Sequence, residues 1–142
     1  MALISDEVAG DLRKTFENLK DSVRLAVFSQ ALADPESEQV RRLVEELAAL
    51  EPRITAETWN FVLDTEKVEA LKIARIPAIA IMGAAKDYGI RMYGLPSGYE
   101  FGSLIEAIID VSSGDSGLSA PTREALANVQ KPVHVQVFST PT

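Results

Sequence analysis

One stretch constrains this chain more than any other: the apolar run Val23-Arg24-Leu25-Ala26-Val27-Phe28-Ser29, followed closely by Asp34-Pro35-Glu36-Ser37 and a helical pattern. Val23, Leu25, Val27 and Phe28 are residue types that a sheet interior prefers. Val40, Leu43, Val44 and Leu47 recur at helical spacing. Asp34 is a good N-cap, and Pro35 occupies the first helical position, where a missing N–H costs nothing. The reading is a buried strand over 23–29 and a helix over about 35–50 that ends before Pro52. A strand that turns sharply into a helix is a frequent seat of chemistry, because the helix start offers unpaired N–H groups and a partial positive charge.

Composition narrows what that turn can do. The chain has no cysteine, which excludes structural disulfides, thiolate nucleophiles, Cys-ligated zinc and iron–sulfur clusters. Its single histidine, His134, rules out His-pair metal sites and leaves a Ser/His/Asp triad hard to build. No cofactor is expected. With 14 Lys and Arg against 21 Asp and Glu the net charge is −7, spread along the chain. A nucleic-acid or anionic-membrane partner would call for a basic patch, so neither is expected. No apolar run approaches the roughly 20 residues of a spanning helix, and the N-terminus lacks the pattern of a signal peptide, so a cytoplasmic location is expected. A length of 142 residues suits one ordinary domain.

In chain order, Ser5 caps a helix over about 6–19 with Val8, Leu12, Thr15, Phe16 and Leu19 on one face. After the first strand and helix, residues 54–63 read as a strand with Trp59, Phe61 and Leu63 on one side, Trp59 being a core residue. Asp64 and Thr65 offer a cap for a short helix over about 66–73. Pro77 stands at the entrance of an apolar strand running to Met82, and residues 83–89 form a hairpin connection into 90–93. Ser97 and Glu100 make a capping box for a helix over about 98–111 that buries Phe101, Leu104, Ile105, Ile108 and Ile109. Residues 112–117 are the only linker-like segment. Ser119 then caps a helix to about 129, and a strand follows over 133–138, with His134 on its less buried face. The fold class is α/β: a small mixed sheet with helices on both faces, an extra N-terminal helix and a C-terminal helix-strand extension.

That last segment echoes the first. Residues 16–29 align without gaps on 126–139, placing Phe28 on Phe138 at an offset of 110. Identities include Asn18 with Asn128, Val23 with Val133, Val27 with Val137 and Ser29 with Ser139. The domain reading is a module over 1–112, a linker over 113–118, and over 119–142 the helix and first strand of an incomplete second module. The strand over 133–138 has three outcomes: pairing with an edge of the first unit, exchange between two chains in a homodimer, or remaining loose.

The strand-turn-helix, the proline in Arg75-Ile76-Pro77-Ala78, the hairpin and the closing helix together resemble the thioredoxin and glutaredoxin superfamily. More specifically, Tyr88-Gly89-Ile90-Arg91-Met92-Tyr93-Gly94-Leu95-Pro96-Ser97-Gly98-Tyr99-Glu100-Phe101 followed by 105–111 is similar to the first module of two-module, glutaredoxin-like protein disulfide oxidoreductases. The N-terminal domain of the alkyl hydroperoxide reductase flavoprotein subunit is a more distant likeness. The resemblance implies a Cys-x-x-Cys pair at the helix start, where the helix end favours the thiolate. Those positions fall on Asp34 and Ser37, in Asp34-Pro35-Glu36-Ser37. It also implies that Pro77, after Ile76, is a cis-proline facing that position across a substrate groove; Ala78 stands where thioredoxins often carry threonine.

Neither a carboxylate nor a hydroxyl forms a disulfide. A general acid or base built from Asp34 with Ser37 has no accompanying histidine or second carboxylate, so helix capping is the stronger reading. Two functions follow from the resemblance. In one, the chain is a redox-inactive module that docks or supports a second thioredoxin-like module or a redox partner protein. In the other, it is part of a disulfide oxidoreductase whose active dithiol lies beyond Thr142.

Overall fold

Through α5 the helices and strands follow the order expected, and the computed structural model describes residues 1–30 and 34–140, so that the final two positions of the 119–142 segment lie outside it. The elements are α1 (Asp6–Phe16), β1 (Val23–Ser29), α2 (Pro35–Leu50), β2 (Ile54–Asn60), α3 (Thr65–Ala70), β3 (Ala78–Gly83), β4 (Ile90–Tyr93), α4 (Tyr99–Ser113) and α5 (Ala120–Ala127). The sheet order is β2-β1-β3-β4. β1 and β2 are parallel, with Val23 opposite Ile54 and Phe28 opposite Trp59, whereas β3 is antiparallel to both β1 and β4.

Alternation along the strands sorts the side chains into two cores. Val23, Leu25, Val27, Ile79 and Ile81 face α1, α2 and α4, where they meet Phe16, Val40, Leu47, Leu104 and Ile108. Ala26, Phe28, Ala78, Ala80 and Met82 face the other way and are covered by Ile73, with Val68, Leu71 and Trp59 partly buried beside them. This smaller core is covered by α3 and the turn after it, together with Phe61, Ile76 and Tyr93.

Several expected boundaries move, each for a local reason. α1 stops at Phe16, since the Arg53 guanidinium takes the Phe16 carbonyl at 3.1 Å and the Leu19 carbonyl as well. Its buried face is Ala9, Leu12 and Phe16, not the face through Val8 and Thr15; Val8 is exposed. β2 ends at Asn60 because the Asn60 side-chain oxygen accepts from Val62 and Leu63 N–H at 2.9 and 3.0 Å, folding the chain into a turn that leaves Leu63 exposed. Trp59 is only half-buried. Asp64 does not cap α3 with its side chain; its carboxylate accepts from the Asn60 N–H at 2.6 Å. The Ser97 and Glu100 capping box does not form. Gly98 stands at the N-cap with φ +57, and the Glu100 N–H bonds the Ser97 carbonyl. Ile109 lies on the exposed side of α4, and Val111 and Ser112 are buried instead.

Ser112 belongs to the fold and not to a linker. It is 1% exposed; its hydroxyl accepts from Lys20 N–H at 2.8 Å and Asp21 N–H at 3.1 Å, and donates to the Asp21 carbonyl at 2.8 Å. This ties the end of α4 to the turn before β1. Ser112→Ala removes a buried hydroxyl that makes three part-buried hydrogen bonds, and we expect a loss of about 1–3 kcal/mol in urea unfolding, whereas Ser113→Ala costs under about 0.5 kcal/mol.

No strand forms at 133–138. Val133, Val135, Val137 and Phe138 are exposed, as is His134, because a lone strand has no partner for its backbone. Among the described residues no helix is long and apolar enough to cross a membrane.

Candidate functional site

The start of α2 is built as its sequence demands. Asp34 sits at the N-cap in extended backbone, its Oδ1 accepting from the Glu36 N–H at 3.2 Å, with Pro35 in the first turn. Its Oδ2 accepts from the hydroxyl of Ser37, which is only 2% exposed. These bonds, the Ser37 hydroxyl first and then the Ser37 and Glu36 N–H groups, hold the Asp34 carboxyl below the usual carboxylate range.

Such a carboxylate is a weak base, and a general base works best with a pKa near the operating pH. The hydroxyl beside it is buried, with its proton committed to Oδ2. The arrangement is a helix cap that closes on itself.

A group whose folded pKa is lowered contributes stability above its unfolded pKa, near 3.9 for aspartate, and that contribution is lost as pH falls through the folded value. Asp34→Asn keeps a capping side chain but does not titrate. We expect its urea midpoint to fall less steeply below about pH 4 than that of the parent chain, and identical acid limbs would refute this role.

On one side of the cap, Glu36 Oε1 accepts from the Leu95 N–H at 3.0 Å, and Gly94 N–H donates to the Pro77 carbonyl at 2.9 Å. Gly94 has φ +82, and a Cβ there would meet Glu36 Oε1 at 3.4 Å. The turn after β4 thus joins the helix start to the Ile76–Pro77 peptide bond, which is cis. Ile76 is half-buried and Pro77 is buried.

On the other side, an open groove of about 670 Å³ runs over the C-terminal ends of β1 and β2, lined among others by Ser29, Asp34, Ser37, Arg41, Thr58 and Trp59. Neither Ile76 nor Pro77 lines it. The structure therefore brings Asp34 and Ser37 into contact and links Pro77 to the helix start through the Gly94–Leu95 turn.

One residue lining the groove, Arg41, and an ion pair outside it, Arg24 with Glu57, were not singled out by sequence. Arg41 donates to Glu38 at 3.0 and 2.5 Å and to Glu45 at 2.5 Å, and these bonds raise its pKa further. Its i−3 and i+4 acidic neighbours were a readable signal. Arg24 and Glu57 pair across the parallel strands at 2.9 and 3.3 Å, and Glu57 is pushed down by Arg24 first. Glu57 also accepts from the Trp59 indole N–H at 3.3 Å, while Lys67 lies over the Trp59 ring at 4.8 Å. That pair is invisible until the β1–β2 register is known. Among the described residues no group of three acidic, His or Cys side chains could hold a metal ion.

No protein-family model matches the chain. Among solved structures, the protein disulfide oxidoreductase from Aeropyrum pernix aligns with a TM-score of 0.77 at 25% identity, over 87% of this chain and 54% of that one. The NTD_N/C domain of the alkylhydroperoxide reductase AhpF from Enterococcus faecalis aligns with a TM-score of 0.77 at 30% identity, over 85% of this chain and 58% of that one. The fold is thioredoxin-like. Among curated proteins, an NADH dehydrogenase of Ferdinandcohnia aciditolerans is 26% identical over 136 residues, 96% of this chain and 24% of that protein. The thioredoxin-like chain thus spans about a quarter of that curated relative's length. At the helix start where the family resemblance puts a dithiol, this thioredoxin-like module carries a carboxylate and a hydroxyl bonded to each other.

Proposed function

We propose that this chain is a cytoplasmic, redox-inactive thioredoxin-like module that docks or supports a dithiol-bearing thioredoxin-like partner. The observation that carries the reading is the closed Asp34–Ser37 cap at the start of α2 in a chain without cysteine. Thiol–disulfide exchange needs a thiolate that attacks a disulfide sulfur, and here nothing at the helix start can form the mixed disulfide. A face suited to docking lies beside the cap. The Asn60 turn holds Val62 and Leu63 outward at 56% and 78% exposure, next to the half-buried Trp59. Exposed apolar side chains on a fixed turn are a usual anchor for a protein partner.

In a dithiothreitol-driven insulin assay the chain should give no rate above the reductant alone, and measurable turnover overturns the redox-inactive part. Titration against a thioredoxin-like protein carrying Cys-x-x-Cys should give saturable binding that Leu63→Asp weakens at least tenfold. Binding that the substitution leaves unchanged overturns the docking part.

The echo of 16–29 in 126–139 favours a second reading, in which the chain is part of a protein disulfide oxidoreductase whose dithiol lies beyond Thr142. Sequencing the natural reading frame decides it. A continuation into Cys-x-x-Cys supports it, and a stop codon after Thr142 sinks it.

A further inference from the structure

β2 is an edge strand, paired only with β1, and its outer side carries none of the usual guards against another strand. It has no proline and no lysine, and its one charge, Glu57, is neutralised by Arg24. Ala56 and Thr58, which continue the apolar row of Leu25 and Val27 across the sheet, are exposed for want of a further strand. The same chain carries an unpaired strand-forming segment, residues 133–139, which makes no backbone hydrogen bond to the sheet.

That segment is a copy of the strand β2 already accepts. Aligned at the offset of 110, Val133-His134-Val135-Gln136-Val137-Phe138-Ser139 replaces Val23–Ser29, which pairs in parallel with all seven residues of β2. The same register on the outer side would set Val133, Val135 and Val137 against Ile54, Ala56 and Thr58. Phe138 would then lie beside Trp59, opposite which Phe28 already stands on the inner side. Aromatic and β-branched neighbours of this kind stabilise strand pairs.

We propose that residues 133–139 of one copy add in parallel to the outer edge of β2 in a second copy, and that the exchange is reciprocal. Residues 114–132 lie between the segment and the sheet-covering helix α4, and α5 within them buries no side chain. Reciprocal exchange closes the assembly as a dimer, because each copy supplies one arm and one β2 edge and both are used within the pair. The inference rests on the fold and the sequence echo, so its failure leaves the redox-inactive docking reading to its own tests.

The absence of cysteine makes a clean experiment available. Thr58→Cys with Val137→Cys, introduced together and mildly oxidised, should run as a covalent dimer on a denaturing gel. Each residue lies on an exposed surface, so folding is not at risk. In sedimentation equilibrium the parent chain should move from 15.4 kDa toward twice that mass as concentration rises. Gln136→Pro, which removes a ladder N–H that this register aims at the Ala56 carbonyl, and Ala56→Lys, which charges the edge, should each weaken the dimer at least tenfold with unchanged circular dichroism. A monomer at all concentrations overturns the proposal. So does a disulfide closed within one chain, which would place the arm on its own edge, or a dimer indifferent to both substitutions.

Discussion

Phe16→Ala should lower unfolding free energy by about 3–5 kcal/mol, the range for truncating a fully buried aromatic. Phe16 is 0% exposed at the end of α1, packed in the larger core with Leu12, Leu19 and the side chains of α2 and β1. The lost contacts cannot be recovered by collapse, because the carbonyls of Phe16 and Leu19 are tied to the Arg53 guanidinium and hold the helix end in place. For a chain of this size the melting temperature should drop by roughly 10–20 °C. Val8→Ala on the same helix is the control. Sequence periodicity puts Val8 on the buried face, but it is exposed, and its truncation should change stability by less than about 0.5 kcal/mol. If the two substitutions cost the same by chemical denaturation, α1 is not docked through Ala9, Leu12 and Phe16.

Asp34→Cys combined with Ser37→Cys should create a disulfide and with it a thiol-exchange activity the parent lacks. The two positions are one helical turn apart, where side chains approach to about 5–6 Å, within reach of the separation a disulfide requires. The site is also asymmetric in the way exchange needs: Ser37 is buried, while Asp34 is more accessible. A thiol introduced at 34 would meet the N–H groups that now serve the carboxylate, and its pKa should fall from about 8.5 into the range of about 3.5–7.5 found at helix starts. Thiol titration before and after mild oxidation should count two thiols and then none, and the insulin assay should register turnover. Two thiols that stay free in the folded, oxidised protein would mean that the alignment with the family dithiol is misplaced.

The strand-helix unit from Val23 to Leu50 was legible in the sequence because its signals are local. Asp34 and Pro35 fix the helix start by capping and backbone geometry, and the strand's apolar run has the right composition whatever surrounds it. The pairing of Asp34 with Ser37 follows from the same helical turn. What failed was what depends on partners. The Ser97 and Glu100 pattern has the spacing of a capping box, but Gly98 takes the N-cap and the turn is closed by backbone alone. Ser112 has the look of a linker residue and is instead a buried tie across 91 residues of sequence to Asp21, which no local pattern encodes.

The strand pattern at 133–138 is equally clear in sequence, and one copy of the chain leaves it unpaired. A strand exists only where an edge receives its N–H and carbonyl groups, so propensity without a partner leaves it exposed. By itself the sequence determined the order of elements, the helix cap at Asp34 and the lack of any thiol. Tertiary structure alone decided that Arg24 meets Glu57, that a groove opens beside Trp59, and that β2 is left as a bare edge, because each depends on which strands lie side by side.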